Sequence, residues 1–173
     1  MTPLLERIQA LTKSTDAGTR DLQIIRQRDV HKLADDTGRT VQEIELTALE
    51  AEIVPWRYLR NLGTLGVAGQ IKLLQSTVAI VGQGGLGGYV SEALARTGVG
   101  RLAVIDGDVF AEHNLNRQLL SAERNLGLSK VEAARRRIAQ INSAVEVIAH
   151  ETMLTAENLP RLLEGVDVVV DAL

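Results

Sequence analysis

A short β-rich run that breaks directly into glycines restricts this chain more than any other feature. Thr77-Val78-Ala79-Ile80-Val81 is followed by Gly82-Gln83-Gly84-Gly85-Leu86-Gly87, with Gly88 next. The pattern is G-x-G-x-x-G, set after a predicted strand and at the head of a predicted helix, the context that makes it informative. The first glycine permits the tight turn, the second lets backbone approach a phosphate, and the last lets helix and strand pack closely. Free amides and the positive end of the helix dipole then suit an anion. Asp106 closes the next predicted strand, roughly 20 residues further on, where a carboxylate can accept ribose hydroxyls. A glycine turn that serves only packing is the plainer alternative, and strand, helix and Asp106 together weigh against it. The loop implies a nucleotide and does not choose between NAD and ATP.

The rest of the second half alternates in the same way. A helix is expected from about Gly85 to Thr97, a strand at Leu102–Ile105 and a helix from Ser129 to Asn142, with Val131, Ala134, Ile138 and Ile141 on one face. A strand at Val145–Ile148, a helix near Glu157 to Leu163 and a strand at Val166–Val170 follow. Alternation of this kind implies parallel strands joined by right-handed crossovers: an α/β, Rossmann-like doubly wound sheet, of which this is the first half.

Before Pro55 the periodicity is helical. Leu4, Leu5, Ile8 and Leu11 share a face; a second helix is expected from about Arg20 to Asp36 with Leu22, Ile25, Val30 and Leu33 inward and Gly38 as its stop. Thr40 and Glu43 form a capping box for a third, running through Ile44, Leu46, Leu49 and Ile53 to Pro55. The expected organisation is therefore a helical extension over residues 1–55 and a nucleotide-binding domain over 56–173. Val30 to Leu49 has the outline of a helix–turn–helix. A DNA-reading helix needs cations, whereas this one carries Glu43, Glu45, Glu50 and Glu52, so DNA is not the expected partner.

Composition narrows the class. The chain has no cysteine, which removes disulfides and thiolate metal sites from these residues, and a net charge of −3 gives no electrostatic reason for nucleic acid or an anionic membrane. No apolar run approaches the ~20 residues of a span, and Glu6 and Arg7 come too early for a signal peptide. A soluble, cytoplasmic protein is expected. His31, His113 and His150 show no ligand spacing and read as ordinary surface or core histidines.

The residues after the second strand carry the chemistry. Asp106-Gly107-Asp108, then Asn114-Leu115-Asn116-Arg117-Gln118, then Gly127-Leu128-Ser129-Lys130 follow in order, with Arg57-Tyr58-Leu59-Arg60 before the first strand. These segments resemble the D-x-D, N-L-x-R-Q, G-x-x-K and R-Y-x-R motifs of the ThiF/MoeB/HesA family of adenylating enzymes, in the family's order, over roughly Trp56 to Leu173. The resemblance implies an ATP-dependent adenylyltransferase that activates the C-terminal Gly-Gly of a ubiquitin-like sulfur-carrier protein and releases pyrophosphate; one relative in the family instead adenylates a tRNA base. It implies ATP with Mg²⁺, a homodimer, and no membrane. Gly82, Gly84, Gly85 and Gly87 would cradle phosphate, Asp106 would hold ribose, and Asp108 and Asn114 would complete the nucleotide site. Arg117 and Lys130 would stabilise developing charge, with Arg60 reaching the ATP of the other subunit.

Physical chemistry supports those residue types. A carboxylate that attacks an α-phosphate must overcome repulsion between anions, and fixed cations offset it. Arginine grips phosphate oxygens bidentately, and lysine supplies a compact charge. Singly, Arg117 and Lys130 would read as solvated surface charges, and Arg57 and Arg60 as side chains stacking near Tyr58 and Trp56. Asp108 has a turn-forming alternative.

In the family the fourth strand is followed by D-x-x-D, whose second aspartate helps hold Mg²⁺. Asp171 matches the first, and the second is expected just beyond Leu173, so no metal ligand is assigned within the chain. Zinc-binding C-x-x-C pairs would likewise lie in a C-terminal part outside these residues. The expectation is a C-terminally truncated domain that is inactive alone. A non-catalytic module that binds nucleotide or mediates dimerisation, and an NAD-dependent oxidoreductase, remain as alternatives; the oxidoreductase leaves Asn114, Arg117 and Lys130 unexplained.

Overall fold

The computed structural model describes residues 2–16 and 21–173, and the chain divides into two compact units, Met1–Leu74 and Gln75–Leu173. In the first unit, helix α1 (Pro3–Leu11) begins where the Thr2 hydroxyl accepts the Leu5 amide at 3.3 Å and Pro3 occupies a position that needs no donor. Strand β1 (Lys13–Asp16) pairs antiparallel with β2 (Asp21–Ile25), which pairs parallel with β3 (Ile53–Pro55). Between β2 and β3 lie α2 (Gln27–Thr37), ended by Gly38 at φ 68°, and α3 (Val41–Glu50). The capping box of α3 is formed: the Glu43 amide donates to Thr40 Oγ1 at 3.1 Å, and the Thr40 amide to Glu43 Oε2 at 2.7 Å. Ile8, Ile25, Val30, Leu33, Ile44 and Ile53 meet in one core.

This unit departs from the helical extension read in the sequence. Residues 21–25 form a strand, and the second helix starts only at Gln27; the expected start at Arg20 lies outside the described residues. Leu22 and Ile25 imitate a helical spacing, but adjacent Ile24 and Ile25, both buried, face opposite sides of a strand. The third helix stops at Glu50, because Glu52 takes φ 57° and turns the chain, so Ile53 belongs to β3. The unit is mixed α/β.

A 3₁₀ turn (Trp56–Asn61) and helix α4 (Leu62–Gln75), broken at Gly66, come next. Leu74 is fully buried and its carbonyl accepts from Gln42 Nε2 at 2.6 Å, which ties the segment to the first unit. The boundary between units therefore falls after Leu74, later than the seam read near Pro55.

The second unit is a four-stranded parallel sheet. Its strands β4 (Thr77–Val81), β5 (Arg101–Ile105), β6 (Glu146–His150) and β7 (Val168–Asp171) lie in the order β6-β5-β4-β7. Helices α5 (Gly87–Thr97), α6 (Lys130–Ile141) and α7 (Leu159–Leu162) are the crossovers. Every residue of β4 is buried, as a central strand covered on both faces requires. Asn142 Nδ2 donates to the Ala95 carbonyl at 2.9 Å and Arg137 pairs with Glu92 at 2.9 Å, joining α6 to α5. In numbering from β4 the order is 3-2-1-4, so the chain reverses direction between β4 and β7; doubly wound sheets bind ligands at the carboxyl ends beside that reversal. Among the described residues no helix is long and apolar enough to cross a membrane.

Candidate functional site

At that reversal the glycine loop leaves β4. Gly82 takes φ 91°, and its amide donates to the Ile105 carbonyl at 2.8 Å. A Cβ on Gly82 would stand 2.7 Å from the carbonyl oxygen of Ala172, and one on Gly87 would overlap the carbonyl oxygen of Gly82. Packing alone explains those two glycines. It does not explain the middle pair: a Cβ on Gly85 would meet nothing within 4 Å, and one on Gly84 only the Gln118 amide, at 3.6 Å. Among the described residues the amides of Gly84, Gly85 and Leu86 donate to no partner, and α5 begins without a side-chain cap. Three donors at a helix amino terminus form an anion site. Buried Gln83 fixes the loop: its Nε2 donates to the Gly82 carbonyl at 3.1 Å and its Oε1 accepts from Ser91 Oγ at 2.8 Å.

Asp106 is buried at the end of β5, where Oδ2 accepts the Gln83 amide at 2.7 Å and Oδ1 the Asp108 amide at 2.8 Å. The same carboxylate thus locks the glycine loop and the D-x-D turn. Lys130, at the first position of α6, is buried; its Nζ lies 2.8 Å from Asp108 Oδ2 and 3.9 Å from Asp106 Oδ2. Its amide donates to the Asp108 carbonyl at 3.0 Å, so backbone and side chain both fasten α6 to the turn. Arg117 is exposed, with Nη1 on the His113 carbonyl at 2.7 Å and on Asn116 Oδ1 at 3.0 Å.

These groups surround one cleft of about 410 Å³, on whose wall lie Gly82, Gly84, Gly85, Asp106, Asp108, Arg117 and Lys130. Gly87 is buried behind the loop. Asn114, expected at the nucleotide, is buried off the wall: its Oδ1 accepts the Ala111 amide at 2.9 Å, so its carbonyl is spent on closing its own turn. Arg60 belongs to the first unit, where it is exposed.

The structure adds residues that spacing did not single out. Gln118 lines the cleft with a buried Oε1 that has no hydrogen-bond partner, a state that disfavours the free protein unless a donor reaches it. Its signal was present as the last letter of N-L-x-R-Q. Thr152, Met153 and Leu154 form the far wall beyond β6, and no motif marks them. Among the described residues no group of three or more His, Cys, Asp or Glu side chains is placed to hold a metal ion.

Comparison with known proteins gives this geometry a family. Residues 58–173 match the ThiF family. The adenylyltransferase and sulfurtransferase MOCS3 of Aedes aegypti is 44% identical over 118 residues, 67% of this chain and 27% of that protein. MOCS3-2 of Zea mays is 41% identical over 127 residues, 72% of this chain and 26% of that one. Among solved structures, the E. coli tRNA N6-threonylcarbamoyladenosine dehydratase TcdA in complex with ATP superposes with a TM-score of 0.66 at 33% identity, covering 68% of this chain and 49% of its own. The chain spans about a quarter of the length of those curated relatives and about half of that structure. On the match over most of its length, and on a glycine loop, D-x-D turn and lysine-headed helix gathered at one cleft, the chain belongs to the ThiF family.

Proposed function

We propose that the cleft binds ATP and serves adenylation of a carboxylate, the C-terminal Gly-Gly of a ubiquitin-like sulfur carrier. The observation that carries this is the set of unpartnered amides at Gly84–Leu86 facing Arg117 and Lys130 across one cleft. A packing turn needs neither free amides nor two cations. An adenine nucleotide uses both, and the unpartnered Gln118 Oε1 offers it an acceptor. In the reaction a carboxylate oxygen bonds to the α-phosphorus, the bond from that phosphorus to the bridging oxygen breaks, and pyrophosphate leaves with the electron pair. Backbone amides would hold the phosphates and Asp106 the ribose, while Arg117 and Lys130 offset the charge that builds on the leaving group. Lys130 is already desolvated and oriented by Asp108, so little reorganisation is needed. Mg²⁺ would arrive with the triphosphate. Arg60 would act on the ATP of a second copy, which makes the working form a cytoplasmic homodimer.

The likeness to the tRNA dehydratase TcdA supports a second reading of the substrate, a tRNA base; the higher identity to MOCS3 favours the carrier. Calorimetric titration with ATP, AMP and NAD tests the nucleotide. ATP is expected to bind, with an affinity that falls about tenfold or more in R117A and K130A; NAD binding without ATP binding would overturn the proposal. Pyrophosphate exchange stimulated by a Gly-Gly carrier or by tRNA separates the two substrates. Exchange by the 173 residues alone is expected to be feeble.

A further inference from the structure

The only wholly buried carboxylate of the first unit's described helices is on α3, outside the family match, and it holds the segment that carries Arg60. Glu45 is 1% exposed. Its Oε2 accepts the Tyr58 hydroxyl at 3.0 Å, and its Oε1 lies 3.6 Å from Arg57 Nε. Tyr58 is itself fully buried. The turn is tied at its ends as well: the Arg26 guanidinium sits over the Trp56 ring at 4.6 Å, and Asn61 Nδ2 donates to the buried Gln70 Oε1 at 2.8 Å. Four of the six residues of Trp56–Asn61 are thus held by side chains from elsewhere in the unit, and Leu59 is half-buried. Arg60 alone is exposed among the last five.

A buried acid normally has to justify its desolvation, and a hydrophobic residue would fill the same space more cheaply. An acid that grips two consecutive residues of a short turn does what a hydrophobic residue cannot: it fixes rotation of the turn and with it the direction of the side chains that follow, Arg60 among them. We propose that Glu45 is a positioning residue that sets the Trp56–Asn61 turn so that Arg60 is presented to the triphosphate of a second copy. The inference rests on the reading of Arg60 given above. Glu45 lies outside the ThiF match, which begins at residue 58.

A cation directed at the leaving pyrophosphate distinguishes ATP from AMP, and that distinction supplies the test. ATP and AMP affinities are measured by calorimetry on the wild-type chain, R60A, E45Q and the double variant. R60A is expected to weaken ATP about tenfold and leave AMP unchanged, since one charge-assisted contact is lost. E45Q keeps an acceptor for Tyr58 and loses the charge for Arg57; it should weaken ATP several-fold with the same indifference to AMP, and the double variant should be no weaker than R60A. If E45Q weakens ATP and AMP alike, or if the two effects multiply, Glu45 does not act through Arg60 and the proposal falls while the reading of Arg60 stands. If R60A itself changes nothing, the reading of Arg60 falls and takes the proposal with it. Should E45Q fail to fold, Y58F carries the same cycle with the same expected signature.

Discussion

Among the described residues each unit buries one carboxylate, Glu45 in the first and Asp106 in the second, and the two are held in different ways. Asp106 receives backbone amides from Gln83 and Asp108, one on each oxygen, with the Lys130 ammonium 3.9 Å away. Glu45 has only side-chain partners, the Tyr58 hydroxyl and the Arg57 guanidinium. Burial raises the Glu45 carboxyl to about 7, against the opposing pull first of Arg57 and then of Tyr58. Backbone donors are fixed by the fold and cannot retreat, so they suit a carboxylate that must stay in one place beside a ligand. Side-chain donors can adjust, and they leave the acid titratable near neutrality.

The largest consequence is for removing the acid. D106A strands two amides and leaves buried Lys130 with Asp108 alone, at a cost of about 3–5 kcal/mol measured by urea unfolding. The second unit, Gln75–Leu173, should lose its cooperative transition first. A D106A chain that unfolds at the wild-type urea midpoint would break the comparison, because the aspartate would then be a ligand group with no structural work.

Glu45 should behave otherwise, with an effect that depends on pH. Its folded carboxyl keeps the proton to about 7 while the ordinary value is 4.5, so the folded state is favoured as long as the proton is bound. That contribution is whole below about pH 4.5 and is lost as pH rises through 7. Wild type should therefore lose about 3 kcal/mol relative to E45Q between pH 4.5 and pH 8, as an upper bound from the size of the shift. Paired unfolding curves at those two pH values measure it. A difference that stays flat with pH would mean that Glu45 does not change its protonation state on folding over this range.

The two regions also differ in how far the sequence reveals them. In the second unit the signals are local: strand, glycines and helix follow one another within a dozen residues, and the elements appear near the expected places. Its strand order, with β7 beside β4, is a long-range choice that spacing does not encode. The first unit is built on such choices. β2 is a strand because it pairs with β3, nearly thirty residues later, and the left-handed turn at Glu52 has no residue signature. The site follows the same division. Gly84, Gly85, Arg117 and Lys130 were readable from motifs, whereas the Thr152–Leu154 wall is placed by β6 and the Asn114 carbonyl by its own turn. Glu45 read as one more acid on a solvated helix, because the tyrosine that covers it comes 13 residues later.

Within the loop, the same contrast between fixed and free groups ranks two further substitutions. G87A forces a methyl onto the Gly82 carbonyl oxygen and should unfold the second unit or cost it about 3 kcal/mol or more. G85A adds a methyl where nothing lies within 4 Å, so melting should move by less than about 0.5 kcal/mol while ATP affinity falls, as the methyl enters ligand space. Differential scanning calorimetry with and without ATP separates the two. An ATP affinity unchanged in G85A would remove the loop's middle glycines from the phosphate site.

The most selective effect is that of removing a single hydroxyl. Y58F deletes one of the two groups on Glu45 and alters nothing else in shape. A hydrogen bond to a charged carboxylate is worth about 1.5–3 kcal/mol and one to a neutral carboxyl about 0.5–1.5 kcal/mol. The loss in Y58F should thus be near 2 kcal/mol at pH 8 and nearer 1 kcal/mol at pH 5. Because the Tyr58 hydroxyl lowers the Glu45 value, its removal must also move the pH midpoint of the stability curve above about 7. An equal loss at both pH values would mean that Glu45 keeps one protonation state throughout: about 2 kcal/mol at both marks a charged acid, and about 1 kcal/mol at both a buried neutral acid with no charge for Arg57.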